Sequence, residues 1–501
     1  MIEADFPLLT IIILLPLLGA ILVGSIRDNN LAKQAAFFIA GLVLLLTLLV
    51  LFTFDSGQSG YQFVERYEWI PVLNIEYFVG IDGISVLFLP LTALLTLIAI
   101  KASWNSITNL PRLHFAMLLV LESVSIGIFC ALDTILFFLF WELTLPPFFF
   151  LIGLWGVGSQ RRHAAMKYTL FMITGGVSLL LAFIVLAANH AFYTEGSIPQ
   201  ALTFSLPVLL STPLADNLQM LVFMFLLFGF AVKSPLVPLH TWMPTVAMEG
   251  PSHIVATLVG LKLGLYGILR FAMPLAPSAA VEYSWLLSIL GALTLIYGAL
   301  IAIQQTNLRR LLAYASVSHV GLVMVGIASL NMQGLQGAIY QLINFTFIAS
   351  SLMLIAGFIK QRIGSTEAIH LGGLAKVMPK LTFFYFLFML ASIGVPGTSG
   401  FPAELLMIIG ALNSHTVLGI VALSGAILGA AYMLSYTRRA FLGPVTHKSL
   451  NKVYDLQPKE MALLLVPAFL VLGFGFFPDY ILNINQIASQ EWLSRLVTDS
   501  P

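Results

Sequence analysis

Apolar runs of 18 or more residues recur along almost the whole of this chain, each long enough to cross a hydrocarbon core of roughly 30 Å as an α-helix. In lipid every backbone N–H and C=O must be satisfied inside the protein, so runs of this kind leave helices as the only reasonable spanning element. Cut at Gly, Pro, Asn and charge clusters, the runs predict fourteen helices. The expected spans are 6–26, 35–54, 82–104, 113–131, 134–156, 166–190, 218–245, 252–273, 282–304, 308–330, 335–359, 380–405, 411–440 and 460–480. The fold class expected is therefore an all-α integral membrane protein, one membrane domain over residues 1–501.

Composition agrees. Hydrophobic residues make up 59% and charged residues 9%, against roughly 25% charged in a soluble domain. The net charge of +1 leaves no field to gather nucleic acid. The single cysteine, Cys130, sits in an apolar run, which excludes a disulfide framework or a thiolate cluster and reads as a small buried hydrophobe. The first run, Phe6 to Ser25, follows Glu3 and Asp5 rather than a basic segment, so it is expected to be a span and not a cleaved signal.

Basic residues of short loops stay on the cytoplasmic side. Of the 23 Lys and Arg, 18 fall in the odd-numbered loops and their flanks, from Arg27 and Lys33 through Arg309 and Arg310 to Lys448, Lys452 and Lys459. The even-numbered loops and tails collect acids such as Asp55, Glu65, Glu195, Glu491 and Asp499. Both termini are thus expected on the luminal or periplasmic side.

Two Pro-interrupted segments, KSPLVPLHTWMP (233–244) and GVPGTSGFPAE (394–404), recur about 160 residues apart. Paired broken helices point to inverted repeats, so helices 4 to 8 (113–273) and 9 to 13 (282–440) are read as two five-helix repeats, broken in helices 7 and 12.

Against this apolar background some residues are costly. Lys233 and Lys262 lie inside spans, where a charge costs at least about 2.5 to 3.5 kcal/mol and calls for a partner or a purpose. Counted from the expected helix ends at about 1.5 Å per residue, Lys262, Glu142, Glu122 and His319 all reach roughly 14 to 15 Å depth, the midplane. Glu404 follows the Gly and Pro break of helix 12, where freed carbonyls need water or protein. A Glu142–Lys233 pair has two readings: a static ion pair that fixes packing, and a proton switch whose proton affinity changes as the pair forms and breaks. Five ionisable groups near one plane, Glu142, Lys233, Lys262, His319 and Glu404, favour the switch. Auxiliary candidates are Glu122, His240, Glu249 at the cytoplasmic mouth, and His253. For His240 a relay and a structural role stand side by side, and for His253 and His163 a solvated or capping role is the simpler reading. No GxGxxG after a strand, Walker loop, HExxH or Cys/His cluster is present, so no flavin, haem, iron–sulfur centre, nucleotide or metal is expected on this chain.

The segments GIDGIS (80–85), ALDTILFFLFWELTLPPFFFLIGLWG (131–156), FAVKSPLVPLHTWMP (230–244), GLKLGLYGILRF (260–271), YASVSHVGLVMVG (314–326) and GFPAELL (400–406) closely resemble the M-type antiporter-like subunit of complex I, the family of bacterial NuoM, mitochondrial subunit four and cyanobacterial and plastid NdhD. The resemblance implies a proton-translocating subunit in the membrane arm of an NAD(P)H or ferredoxin:quinone oxidoreductase. Antiporter-like neighbours and a peripheral electron-input arm would be its partners, and quinone, flavin and iron–sulfur centres would lie in those other subunits. It also places the family's translocating residues on Glu142, Lys233, Lys262, His319 and Glu404. Departures are HTWMPTVAMEGP where the family usually reads HTWLPDAHxEAP, and Asn344-Phe345 where Asn-His is common; His253 is the candidate to replace a missing histidine. The opening FPLLTIIILLP and PSHI (251–254) lean toward the thylakoid branch, with plastoquinone as acceptor and a carbon-uptake form as one variant. Alternatives are a subunit of a multisubunit sodium/proton antiporter, a membrane-bound hydrogenase subunit and, from another class, a non-conducting scaffold.

Overall fold

A computed structural model describes residues 2–3, 6–445 and 453–498. Asp5, used in reading the first run, and Lys448, Lys452 and Asp499, used in the charge sort, lie outside them. Among the described residues twelve helices are long and apolar enough to cross a membrane, and three shorter apolar helices accompany them. With the halves of interrupted helices joined, helices lie in the stretches where crossings were expected and are numbered here as spans 1 to 14, although only twelve of the described helices by themselves have the length and composition of a crossing. Spans 1 to 6 are Leu8–Ser25, Asn29–Thr53, Phe88–Ser103, Pro111–Cys130, Thr134–Trp155 and Arg161–Tyr193. Span 7 is Asp216–Lys233 continued by Trp242–Glu249, and spans 8 to 11 are Ser252–Leu275, Ser284–Ile303, Leu308–Ala328 and Met332–Ile363. Span 12 is Pro379–Ser392 with Gly400–Ser414, span 13 Thr416–Ala440 and span 14 Pro458–Phe476.

Local chemistry sets many of the ends. Asp28, Asp133, Asn307 and Asn331 cap spans 2, 5, 10 and 11 by accepting from backbone N–H groups of the first turn. Proline opens spans 4, 12 and 14, where its missing N–H costs nothing.

Several boundaries differ from expectation. Span 3 starts at Phe88 rather than 82 because the Asp82 side chain accepts from the backbone N–H of Ile84 and Ser85 and holds a turn there. The second half of span 12 runs to Ser414, past the expected end at 405 and start of span 13 at 411. The polar connection over 55–81 contains an antiparallel hairpin of β1 (Gln62–Ile70) and β2 (Ile75–Ile81), so the fold is not purely helical. The Glu65 carboxylate on β1 accepts from Leu9 N at 2.7 Å and so ties the hairpin to the start of span 1. A further helix, Asp479–Thr498, follows span 14 where only a tail was expected. Its Trp492 Nε1 donates to Leu269 O in span 8 at 2.7 Å.

Three interruptions matter most. Span 7 breaks after Lys233 at Pro235 and Pro238, and the Val232 carbonyl accepts instead from Trp242 Nε1 at 2.9 Å. Span 12 breaks between Ser392 and Gly400, where Ser399 O accepts from Asn344 Nδ2 and Ser399 N donates to Val471 O, both at 2.9 Å. Span 8, expected to be continuous, is also interrupted, at Leu261 and Lys262, with no proline involved. Gly260 and Gly264 allow it. A β-carbon on Gly264 would lie 2.3 Å from Ser234 Oγ and 2.6 Å from Phe230 O, so spans 7 and 8 meet backbone to backbone exactly where both are broken.

Candidate functional site

These interruptions decide where the ionisable side chains go. Lys233, the last residue of the first half of span 7, donates to Thr144 Oγ1 at 2.9 Å, and its ammonium lies 3.9 Å from the centroid of the Trp141 ring. The expected Glu142–Lys233 contact is not made: no ion pair within 4.0 Å joins the two among the described residues. Glu142 turns toward span 6, where only a glycine leaves room; a β-carbon on Gly176 would sit 1.9 Å from Glu142 Oε1. That oxygen is buried and has no hydrogen-bond partner among the described residues. Lys233 of span 7 and Glu142 of span 5 are therefore held apart, one by a hydroxyl and an aromatic face of span 5, the other by a glycine notch in span 6.

Lys262 sits in the break of span 8 and donates to Ser316 Oγ of span 10 at 2.6 Å. The Phe345 ring lies 4.9 Å from its ammonium, at the position where the resemblance led us to expect histidine. One helical turn beyond Ser316, His319 places Nε2 3.7 Å from Glu404 Oε1. Glu404 is 6% exposed, and its other oxygen faces Gly394, whose φ of +67° suits glycine.

Small cavities link these groups. One of about 20 Å³ is lined by Lys233, Thr257, Leu261 and Tyr168 among others. Another of about 20 Å³ is lined by Ser316, His319, Gln341, Asn344 and Ser392. Each exceeds the roughly 10 to 15 Å³ that admits one water, and each offers polar partners for it. Lys233 thus borders one space a single water wide, and Ser316 and His319 border another.

The auxiliary candidates separate. Glu122 is wholly buried in span 4 and neither carboxylate oxygen has a hydrogen-bond partner among the described residues. The His240 ring packs against Tyr297, with centroids 5.0 Å apart, on the span 9 side rather than on Lys262 or His319. Glu249 accepts from Gln160 N at 2.8 Å and its carbonyl accepts from Val157 N at 2.7 Å, so it fastens the loop between spans 5 and 6. His163 is exposed, as a solvated residue should be. His253 is neither solvated nor a cap: it is buried, with Nε2 3.1 Å from Nε2 of His114 on span 4. His114, Thr144 and Ser316 were not singled out from sequence. The last two were within reach, since Thr144 follows Glu142 by two residues and Ser316 precedes His319 by three, whereas His114 is 139 residues from its partner.

The arrangement matches a known lineage. Residues 131–429 match the family model described as NADH:quinone oxidoreductase/Mrp antiporter, TM. The chain belongs to this family. It is 35% identical over 499 residues to the NADH-quinone oxidoreductase subunit M of Rickettsia prowazekii, covering 98% of this chain and 99% of that one. It is likewise 35% identical over 495 residues to NAD(P)H-quinone oxidoreductase chain 4 1 of Nostoc sp., covering 95% and 89%. Among solved structures, a chain of respiratory complex I from Thermus thermophilus superposes with a TM-score of 0.88 at 29% identity, covering 97% of this chain and 99% of that one.

Proposed function

We propose that this chain is a proton-translocating subunit of the membrane arm of a complex I type quinone oxidoreductase. Protons are taken up near spans 7 and 8 from the face that carries the basic loops, reach Lys262, pass by His319 and leave through Glu404. The observation that carries this reading is the run from Lys262 to Ser316 and from His319 to the Glu404 carboxylate, each a direct contact, with a one-water cavity lined by both Ser316 and His319, and Lys233 on a second such cavity beside the break of span 8. Glu142 and Lys233 gate the run by associating and separating, and their separation in this structure supports that role as one of the two positions. Electron transfer, with flavin, iron–sulfur centres and quinone, belongs to partner subunits. The relatives' names as quinone oxidoreductase subunits support this division.

The stretches 113–273 and 282–440 are the two antiporter-like repeats of this reading, supported by the breaks in spans 7 and 12. In its finer form the reading puts the chain in a cyanobacterial or plastid thylakoid membrane with luminal termini and plastoquinone as acceptor. The opening FPLLTIIILLP and PSHI support that form, and fractionation with terminal-tag accessibility tests it.

The test of the translocation reading is the proton-to-electron ratio of the assembled complex in proteoliposomes. Glu142→Gln and Lys233→Ala are expected to leave the complex assembled and remove the protons moved by this subunit. Full stoichiometry in either variant overturns the mechanism.

A further inference from the structure

The relay from Lys233 to Glu404 leaves unexplained how a proton reaches it from the basic-loop face, and a buried histidine pair lies on that approach. His114 is 0% and His253 6% exposed, on different spans, and their Nε2 atoms are 3.1 Å apart. At that distance one ring donates and the other accepts, so a single proton is held between two imidazoles. The rings meet edge to face with centroids 5.1 Å apart, and Trp155 closes the far side of His114 at 4.8 Å. The Nδ1 of His114 is buried with no partner among the described residues. Such a group is costly unless it serves a purpose.

The surroundings supply one. His253 lines a cavity of about 320 Å³ that extends among Ser106, Val157, Lys360 and Gln361, residues at the basic-loop ends of spans 3, 5 and 11. One turn deeper on span 8, Thr257 donates to His253 O at 3.1 Å. Thr257 also lines the one-water cavity shared with Lys233. The hydroxyl of Thr257 bonds the main-chain carbonyl of His253 and not its ring, so the order from large cavity to histidine pair, Thr257, one-water space and Lys233 is one of position along span 8.

We propose that the His114–His253 pair accepts protons from the 320 Å³ vestibule and passes them by way of Thr257 toward Lys233 and Lys262. The inference rests on the translocation reading above. Imidazole suits the task because it gains one proton at one nitrogen as it releases another from the second; the transfer leaves the charge of the pair unchanged and exchanges its tautomers, which ring rotation resets before the next proton. Proton transfer by a positioned side chain is worth roughly 10²- to 10⁴-fold, so loss of the pair slows delivery by at least about 10²-fold.

The experiment compares His253→Ala, His253→Gln, His114→Phe and Lys262→Ala in the assembled complex in proteoliposomes, reading quinone reduction, the proton-to-electron ratio and the response to added imidazole. The expected result is that all four variants reduce quinone but lose the protons moved by this subunit. Imidazole, admitted through the vestibule to the space left by the ring, is expected to restore pumping in His253→Ala alone. A wild-type ratio in His253→Gln or His114→Phe while Lys262→Ala is uncoupled overturns the histidine pair and leaves the translocation reading standing. An uncoupled His253→Ala that no imidazole concentration restores also overturns it, marking His253 as a packing residue. A wild-type ratio in Lys262→Ala overturns the translocation reading itself. His253→Gln, which retains bulk and hydrogen bonding, decides the question where His253→Ala fails to assemble.

Discussion

Gly394 and Glu404 are fitted to each other across the break of span 12: a β-carbon on Gly394 would lie 2.5 Å from Glu404 Oε2, and the glycine backbone has φ +67°. The substitution Gly394→Ala therefore meets two obstacles, a left-handed backbone and a carboxylate. It is expected to cost about 1 to 3 kcal/mol and to push Glu404 away from His319. Thermal unfolding in detergent checks the first part, and the proton-to-electron ratio, expected to fall, checks the second.

Gly176 stands in the same relation to Glu142, at 1.9 Å from Oε1. Gly176→Ala leaves the backbone unstrained, since it lies inside the long helix of span 6. The clash falls on the flexible end of the glutamate, which must swing out of its notch. Coupling is expected to change strongly, with stability reduced by no more than about 1 to 3 kcal/mol. An unchanged proton-to-electron ratio in Gly176→Ala contradicts the view that the notch sets the position of Glu142.

Phe345 acts by the face and bulk of its ring beside Lys262. Phe345→Ala is expected to cost about 3 to 5 kcal/mol, as for other buried aromatic truncations. In contrast, Phe345→His keeps a ring of similar size and adds hydrogen-bonding nitrogens next to the cavity lined by Ser316 and His319. It is expected to assemble and to pump at the full ratio. Loss of pumping in Phe345→His would show that the apolar ring itself is required.

Asp133 predicts a pH effect outside the membrane-spanning segments. It accepts from Ile135 N at 2.8 Å and Leu136 N at 3.0 Å as the cap of span 5, and from Glu76 N of the hairpin at 3.2 Å. Burial raises its carboxyl to about 6, with these hydrogen bonds opposing the rise. The folded chain therefore binds this proton more tightly than the unfolded chain, whose carboxyl keeps its ordinary value near 3.9. The stabilisation that protonation brings is complete below about 4 and is lost as pH rises toward about 6. Thermal unfolding of the wild type against Asp133→Asn is expected to show the gap moving in favour of Asn across that interval. A gap that stays flat, or moves the other way, refutes this. Asp133→Ala is expected to add the loss of the cap, about 0.5 to 2 kcal/mol, to the same pH-dependent movement of the gap.

The spans were legible because lipid forces each crossing to be long, apolar and helical, and the breaks in spans 7 and 12 because proline and glycine announce them. Lys233, Lys262, His319 and Glu404 stood out because charge inside an apolar run is rare. The interruption at Lys262 left no such mark. It depends on the close approach of Gly264 to Ser234, which only the packed spans reveal. The same holds for the separation of Glu142 from Lys233, decided by Thr144 on one side and Gly176 on the other. His253 looked like a residue at a helix start because its partner, His114, lies 139 residues away. The Asp479–Thr498 helix is too polar for a span, and its reason to form is tertiary, through Trp492 and Leu269.

Phe345 also fixes the kind of conductor this chain can be. Between the Lys262–Ser316 contact and His319 there is an aromatic wall and a space of about 20 Å³, so no side chain bridges the gap by itself. On the proposed route the proton crosses that space, so throughput is expected to follow water activity as well as voltage. An osmolyte that draws down hydration then acts on this chain as a throttle, with no binding site of its own.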